Sequence, residues 1–189
     1  MKIRLDDKAQ WLTNVRRVAS PNFDDRPQGL EISLLVIHGI SLPPGEFGTP
    51  CIEQLFCNAL DPAAHPYFPQ ISGLKVSAHL LIDRKGEIVQ FVPFHRRAWH
   101  AGASEFNGRE NCNDFSIGIE LEGVDDVDYE SAQYETLTQV IKELQRAWPH
   151  LTSENIRGHC HIAPGRKTDP GPAFDWDRLY SMLKIMGSE

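Results

Sequence analysis

The sequence lacks the features of several large classes of protein. Its longest apolar stretches, residues 34–37 and 78–82, are far shorter than the roughly 20 residues that a membrane-spanning helix needs. No stretch is dense in lysine and arginine, and 26 acidic against 19 basic residues give a formal net charge of -7. We therefore expect neither a membrane nor a nucleic acid as a partner, because proteins that hold nucleic acids present a basic face.

Cysteine is also scarce, and its positions follow no regular spacing. The chain contains Cys51, Cys57, Cys112 and Cys160. For a chain of this size we predict free thiols in a reducing compartment, with a disulfide framework as the alternative. Charges recur within residues 1–8, where a signal peptide would need its apolar core, so we expect no export by that route. Together these features predict a cytoplasmic protein.

Internal repeats, low-complexity tracts and linkers are absent as well. The length of 189 residues and the hydrophobic content of 41% predict one domain over residues 1–189, with a substantial core. Apolar runs alternate with segments of helical periodicity, which favours the α/β class: a mixed central sheet of roughly four to six strands flanked by helices. The predicted strands are residues 32–37, 75–82, 87–92 and 115–122, and the predicted helices are residues 51–60, 129–148 and 175–186.

One predicted strand has two faces of opposite character. Its apolar residues alternate strictly with glycine and glutamate: Phe115, Ile117, Ile119 and Leu121 share one face. Gly118, Glu120 and Glu122 share the other. That second face is too polar for a core, so we expect it to line a cleft or to meet water. Spacing alone does not choose between the two carboxylates.

Residues 158–171 concentrate chemically active side chains in one segment. The segment holds two histidines, a lysine and an aspartate, and it is too rich in proline and glycine to predict a helix or a long strand. Rigid loops of this kind often bind ligands, although a surface loop with an incidental histidine pair fits equally well. His159 and His161 would point the same way in an extended chain, so either is a candidate ligand.

His38 gives this segment a possible partner. It follows a buried strand, so it is predicted to lie at the carboxyl end of the sheet. A catalytic zinc ion takes three protein ligands from His, Asp, Glu or Cys and leaves one position for water. His38 together with a histidine and an aspartate of residues 158–171 would meet that count.

At these positions the chain resembles the zinc amidases, the family that includes phage lysozyme-type amidases and peptidoglycan recognition proteins. The resemblance is closest to the branch that acts in the cytoplasm of Gram-negative bacteria on soluble anhydromuropeptides. It extends from about residue 11 to residue 176, and it implies the mixed sheet with flanking helices of that family. The stretches that carry it are residues 33–48, 61–68, 76–79, 98–102, 112–123 and 158–176.

The resemblance assigns roles to particular residues. It implies that zinc is bound by His38, His159 and Asp169. His161 lies at a variable position of the family, so we expect it to face solvent or to support the ligands from outside. Glu120 matches the acidic residue that handles protons, and Lys167 matches the lysine that stabilises the oxyanion. These roles suit hydrolysis of the amide between N-acetylmuramic acid and L-alanine: zinc polarises the carbonyl and acidifies water, a carboxylate transfers the proton, and a cation meets the developing charge.

Substrate contacts are less uniform across the resemblance. Lys75 and Asn111 stand where some relatives have arginines that meet peptide carboxylates; Lys75 keeps the charge, and Arg109 lies near enough to replace the other. His100 is either a further substrate contact or a satisfied core histidine. Gly39 replaces an asparagine of close relatives. We therefore predict Lys75, His100 and Arg109 as substrate-binding residues, in a pocket that differs from that of its relatives.

Three other functions fit parts of the sequence. An amidase of the same chemistry could act on the intact cell wall, which the expected lack of export disfavours. A muropeptide-binding protein without catalysis would have no need of the complete set of zinc and acid–base residues. A hydrolase with a cysteine nucleophile would need an activated thiol, and no cysteine lies at a convincing site. No feature implies an obligate protein partner.

Overall fold

The computed structural model describes residues 3–185, and a β-sheet with helices packed on it forms its framework. The helices are α1 Cys51–Phe56, α2 Ser131–Ala147, α3 His159–Ile162 and α4 Trp176–Ile185. The strands are β1 Arg16–Arg17, β2 Phe23–Asp25, β3 Leu34–Ile40, β4 Leu80–Ile82, β5 Ile88–Gln90, β6 Arg96–Ala98, β7 Glu105–Phe106, β8 Arg109–Glu110, β9 Ser116–Glu122 and β10 Ile156–Gly158.

The main sheet is mixed. Within the described residues it has six strands in the order β1-β5-β4-β9-β3-β10. β9 pairs parallel with both β3 and β4, and β10 pairs parallel with β3. β5 pairs antiparallel with β4 and parallel with β1. This arrangement confirms the predicted α/β class with a mixed central sheet, and β2-β6 and β7-β8 add two small sheets.

The central strand β3 reads as an unbroken apolar run because protein covers both of its faces. Leu35 and Ile37 belong to the main core with α2 and α4, while Leu34 and Val36 pack into a smaller cluster on the other side. The run ends at His38, which is 1% exposed. A buried strand therefore carries an imidazole to the carboxyl end of the sheet.

The neighbouring strand β9 has the two faces that its alternation predicts. Ile117, Ile119 and Leu121 pack into the main core with α2. On the opposite face, Glu120 is 9% exposed and Glu122 is 4% exposed. This face was expected to line a cleft or to meet water; it lines cavities, and its carboxylates are largely shielded from solvent. Because both carboxylates are largely buried, only their hydrogen-bond partners can distinguish their roles.

Helix α2 holds the main core against the sheet. Its buried stripe recurs every three or four residues: Tyr134, Leu137, Val140, Ile141 and Leu144. Gln133 joins the first turn to two strands, since its Nε2 donates to the carbonyls of Ile82 and Glu122 while its Oε1 accepts from the amide of Glu130. The helix lies within the predicted range of 129–148 and is shorter by two residues at the start and one at the end.

Several predicted elements prove shorter in the structure. The helix predicted over residues 51–60 ends at Phe56, because Asn58 takes a left-handed conformation with φ 57° that stops it. The strand predicted over residues 75–82 is reduced to Leu80–Ile82, since the amide of Ser77 donates to the carbonyl of Trp99 outside the main sheet. The helix predicted over residues 175–186 is observed as Trp176–Ile185, and its last predicted residue lies outside the described range.

Two expected absences can be examined directly. All four cysteines are free, as predicted. Among residues 3–185, no helix combines the length and the hydrophobicity that crossing a membrane requires.

Candidate metal centre and active site

The register of β3 against β9 places an imidazole beside a carboxylate. His38 pairs with Glu120 across these parallel strands, and residues that pair side by side point to the same face of a sheet. The His38 Nδ1 and Glu120 Oε1 atoms are 4.0 Å apart. Two central strands of the sheet thus position the first two side chains of the site.

The second side of the site comes from β10 and the segment that follows it. Gly158 pairs with Ile37 of β3, so His159, the next residue, begins α3 close to His38. The chain then returns through residues 163–168, and the amide of Cys160 donates to the carbonyl of Asp169 at 2.9 Å. This bond fixes the loop so that the Asp169 carboxylate meets both imidazoles.

Three ligand atoms converge at this point. His38 Nδ1 lies 3.0 Å from His159 Nδ1, and each of these nitrogens lies 3.1 Å from Asp169 Oδ2. A tetrahedral zinc ion with bonds of about 2.0–2.1 Å separates its ligands by roughly 3.3–3.4 Å, so this triangle needs little adjustment. Within the described residues this is the group of His, Cys, Asp and Glu side chains with the geometry to hold a metal ion. The residues fit zinc in number, type and spacing.

The hydrogen-bond partners of the two histidines favour the tautomer in which Nδ1 is free. His159 Nε2 donates to the carbonyl of Ala101 at 3.0 Å, which leaves its Nδ1 without a proton. His38 Nε2 lies 3.0 Å from Nδ1 of His100. Burial lowers the pKa of His38 to about 4, so its ring stays neutral at physiological pH, as metal ligation requires.

The two carboxylates of the site differ in their proton affinity. Burial opposes ionisation of Asp169, but hydrogen bonds with His159 and His38 outweigh it, and the pKa of Asp169 falls below its ordinary value. For Glu120, burial and then the charge of Asp169 raise the pKa well above its ordinary value, while Lys167 opposes this shift. Glu120 Oε2 is buried without a hydrogen-bond partner among the described residues. A carboxyl group in this state is suited to accept a proton and to return it.

A cleft of about 350 Å³ gives access to these groups. Its polar lining includes the triangle of His38, His159 and Asp169 together with Glu120 and Lys167. Most of its other lining residues are apolar, and they include Leu42, Tyr67, Ile71, Leu74, Val76 and Trp99. A larger cavity of about 650 Å³ is lined by Glu122 but by none of the three residues of the triangle. Chemistry rather than size therefore identifies the smaller cleft as the candidate active site.

The structure separates some of the predicted site residues from the others. Lys75 is exposed, and neither Lys75 nor Arg109 is among the residues that line the cleft. The Arg109 guanidinium lies 3.7 Å from the centre of the Phe115 ring and donates to Ser33 Oγ. Their part in substrate binding stays a prediction. His100 does line the cleft, but both of its ring nitrogens face protein partners, His38 and Ser116.

His161 does not join the triangle. An extended chain would have pointed it the same way as His159, but residues 159–162 form a helical turn where the composition predicted neither helix nor long strand. His161 is exposed and lies outside the triangle, as expected for a solvent-facing residue. The His161 Nδ1 atom accepts from the amide of Gly158 at 2.9 Å, and its ring packs against Trp176. The His161 side chain thus accepts a hydrogen bond from a backbone amide at the start of α3, and it does not line the cleft.

Sequence reasoning missed two residues that support the site. Asn113 Oδ1 accepts from the amides of both His100 and Ala101, and its position in an irregular segment gave no signal. The Tyr129 hydroxyl donates to the carbonyl of Pro170, next to Asp169, at 2.9 Å. A Cβ atom at Gly39 would lie 2.3 Å from that hydroxyl oxygen, so any side chain at Gly39 requires Tyr129 to move.

Known proteins are similar to this chain in both sequence and fold. A family model described as N-acetylmuramoyl-L-alanine amidase matches residues 28–172. The chain is 60% identical over 169 residues to the 1,6-anhydro-N-acetylmuramyl-L-alanine amidase AmpD of Escherichia coli (strain K12), covering 89% of this chain and 92% of that protein. It is 58% identical over 181 residues to the enzyme of the same name from Salmonella typhimurium (strain SL1344), covering 96% of each. A crystal structure of a selenomethionine AmpD derivative superposes with a TM-score of 0.91 at 57% identity, covering 95% of this chain and 98% of that chain.

Proposed function

We propose the following function for this chain, which belongs to the N-acetylmuramoyl-L-alanine amidase family. The chain is an amide hydrolase that releases L-alanyl peptides from N-acetylmuramic acid during recycling of cell-wall fragments. Our finer proposal is that it uses zinc and that its substrates are soluble 1,6-anhydromuropeptides, the substrate class in the names of its relatives. The observation that carries the proposal is the convergence of His38, His159 and Asp169 beside the buried carboxyl group of Glu120.

In this proposal His38, His159 and Asp169 hold the zinc ion. When bound, zinc supplies Lewis-acid polarisation of the scissile carbonyl and acidifies a water molecule. These three side chains would supply three ligands and would leave one position for water or substrate. Their burial restricts how the ligand set can relax, which favours a preorganised site.

Glu120 moves the proton. It accepts a proton from the attacking water as the oxygen bonds to the carbonyl carbon, and it delivers that proton to the nitrogen of L-alanine as the C–N bond breaks. The raised pKa of Glu120, caused first by burial and then by Asp169, matches both halves of this transfer. Lys167 lines the same cleft, and its ammonium group stabilises the negative charge that develops on the carbonyl oxygen.

The apolar side of the cleft supports a compact ligand with few charges near the reacting bond. Side chains such as Leu42, Ile71 and Leu74 line it, and displacement of water from them favours the sugar ring and the methyl groups of the substrate. We propose that this wall receives the anhydromuramoyl part, while the peptide extends toward the open side. A protein that only bound muropeptides would gain nothing from a buried, unpartnered Glu120 oxygen.

One experiment tests the reaction and the substrate together. Purified protein should contain about one zinc ion per chain, and chelation should abolish hydrolysis of a synthetic anhydromuropeptide until zinc is restored. The same preparation is offered polymeric peptidoglycan. Faster release of peptides from the polymer would contradict the substrate assignment, and full activity of metal-free protein would contradict the zinc assignment. Insensitivity to a thiol-alkylating reagent is the control against a cysteine nucleophile.

We also propose a cytoplasmic location and a single amidase domain over residues 1–189. Four free cysteines suit a reducing compartment, and the soluble substrate class would be encountered there. A single cooperative unfolding transition, shared by the fluorescence of the tryptophans and by circular dichroism, is expected for one domain. Two separate transitions would contradict the domain assignment.

A further inference from the structure

We propose that His100 is a positioning residue of the metal centre, which holds His38 in the tautomer whose Nδ1 is free to bind metal. This inference rests on the proposed function, because it concerns the affinity for zinc. The His38 Nε2 and His100 Nδ1 atoms are 3.0 Å apart, and the two rings meet edge to face at an interplanar angle of 87°. His100 therefore receives the side of the His38 ring that faces away from Asp169.

The direction of the hydrogen bonds decides which nitrogen of His38 carries the proton. A neutral imidazole has one N–H donor and one acceptor nitrogen. If His38 Nε2 donates to His100 Nδ1, then His100 Nε2 carries a proton and donates to Ser116 Oγ, 3.1 Å away. The reverse order would put a proton on His38 Nδ1, between His159 Nδ1 and Asp169 Oδ2, where a metal ion would have to bind. An acceptor at His100 thus keeps the metal-binding nitrogen free.

The polar face of β9 is shaped to seat the His100 ring. Ser116, Gly118 and Glu120 follow one another on this face, and they supply in turn a partner for His100, a space for its ring, and the carboxyl group beside His38. A Cβ atom at Gly118 would lie 2.5 Å from both Cγ and Nδ1 of His100. The ring therefore lies against bare backbone, and any larger residue at Gly118 would displace it.

The residue after His100 does the same for the second histidine ligand. The carbonyl of Ala101 accepts from His159 Nε2 at 3.0 Å and also from the Arg166 guanidinium at 2.6 Å. Asn113 holds the amides of His100 and Ala101 with its side-chain oxygen. Two consecutive residues thus orient both imidazoles, one through its side chain and one through its backbone. Only the His100 contact can be removed by a simple substitution.

The test measures zinc affinity, by competition with a chromogenic chelator, in folded variants of the full chain. His100→Ala should weaken zinc binding by roughly 10–100-fold, the usual effect of losing an outer partner of a histidine ligand. His100→Asn should recover most of the affinity, because its side-chain oxygen can accept from His38 Nε2 near the position of Nδ1. Ser116→Ala should weaken binding less, and Gly118→Ala should weaken it by displacing an intact His100.

Ser20→Ala is the matched control for Ser116→Ala. Ser20 is also buried, and its hydroxyl donates to the carbonyl of Phe56 instead of facing a histidine; its loss should leave zinc affinity unchanged. Wild-type affinity in folded His100→Ala would overturn the inference. Equal losses in His100→Ala and His100→Asn would also overturn it, because they would indicate packing and not an acceptor. His38→Ala separates the two proposals: if that variant keeps wild-type affinity, the metal site itself is wrong.

Discussion

Glu120 and Glu122 stand two residues apart on the same face of one strand, yet they lie in different surroundings. Glu120 faces His38 across the sheet and has one oxygen without a partner among residues 3–185. Glu122 accepts hydrogen bonds from the backbone amides of Gly48 and Arg84. Both side chains are largely buried, so exposure does not distinguish them. The difference is that Glu122 holds two loops through these bonds, whereas one oxygen of Glu120 has no hydrogen-bond partner within residues 3–185.

Among the substitutions that test this comparison, Glu120→Gln should have the largest effect on kcat. Glu120→Gln keeps the size of the side chain but removes the group that transfers the proton, so kcat should fall by roughly 10²–10⁴. Zinc content and the unfolding transition should stay close to wild type, because Glu120 is not part of the ligand triangle. Steady-state kinetics and metal analysis of the same preparation give both values. Retention of most of the activity would show that another group handles the proton.

Lys167→Ala should have the next largest effect on kcat, because the Lys167 ammonium group is proposed to act in the transition state. Its ammonium group shares the cleft with Glu120 and is absent from the cavity around Glu122. Lys167→Ala should lower kcat by roughly 10²–10³, the usual value of one oxyanion partner, with a smaller change in KM. Lys85→Ala is a suitable comparison, since it removes an exposed lysine that does not line the cleft and has no predicted role in the site. A pure KM effect in Lys167→Ala would assign that lysine to substrate binding.

Glu122 should show the opposite pattern from Glu120. Glu122→Ala leaves the amides of Gly48 and Arg84 without their acceptor, so it should destabilise the protein by about 1–3 kcal/mol. Its kcat should stay within a few-fold of wild type, provided that the assay temperature is well below the melting temperature. Urea unfolding and kinetics measured side by side decide the matter. An inactive but stable Glu122→Ala would reverse the assignment of the two carboxylates.

The comparison also shows how far the sequence could lead. Strict alternation predicted that Glu120 and Glu122 share a face of β9, because strand periodicity is local and regular. Nothing local separates them: Glu122 is engaged by Gly48, 74 residues away in sequence, and such a contact exists only once the chain is folded. The family resemblance chose Glu120, which lies beside His38 in the structure, and its catalytic role stays a prediction.

The histidines show the same limit. His38 was predictable at the end of an apolar run, since the run and the strand end at nearly the same place. The separation of His159 from His161 was not, because residues 158–171 look too irregular for a helical turn and yet form one at His159–Ile162. His100 was predicted to be a substrate contact, with a satisfied core histidine as the alternative. Its partners Ser116 and His38 come from two strands that only the folded sheet brings together.

The smallest expected effect concerns the dependence of stability on pH in zinc-free protein. Burial, followed by the charge of Asp169, raises the pKa of Glu120, so the folded protein binds this proton more tightly than the unfolded chain does. The stability from this group is complete below the ordinary glutamate pKa of about 4.3, and it is lost as pH rises through the raised pKa. Glu120→Gln carries no titrating proton at this position. The stability of Glu120→Gln relative to wild type should therefore increase with pH above about 4.3, as measured by urea unfolding at a series of pH values with chelator present.

A stability difference between Glu120→Gln and wild type that stays constant with pH would contradict this prediction. It would mean that Glu120 binds its proton equally well in the folded and unfolded states, and its contrast with Glu122 would then rest on geometry alone.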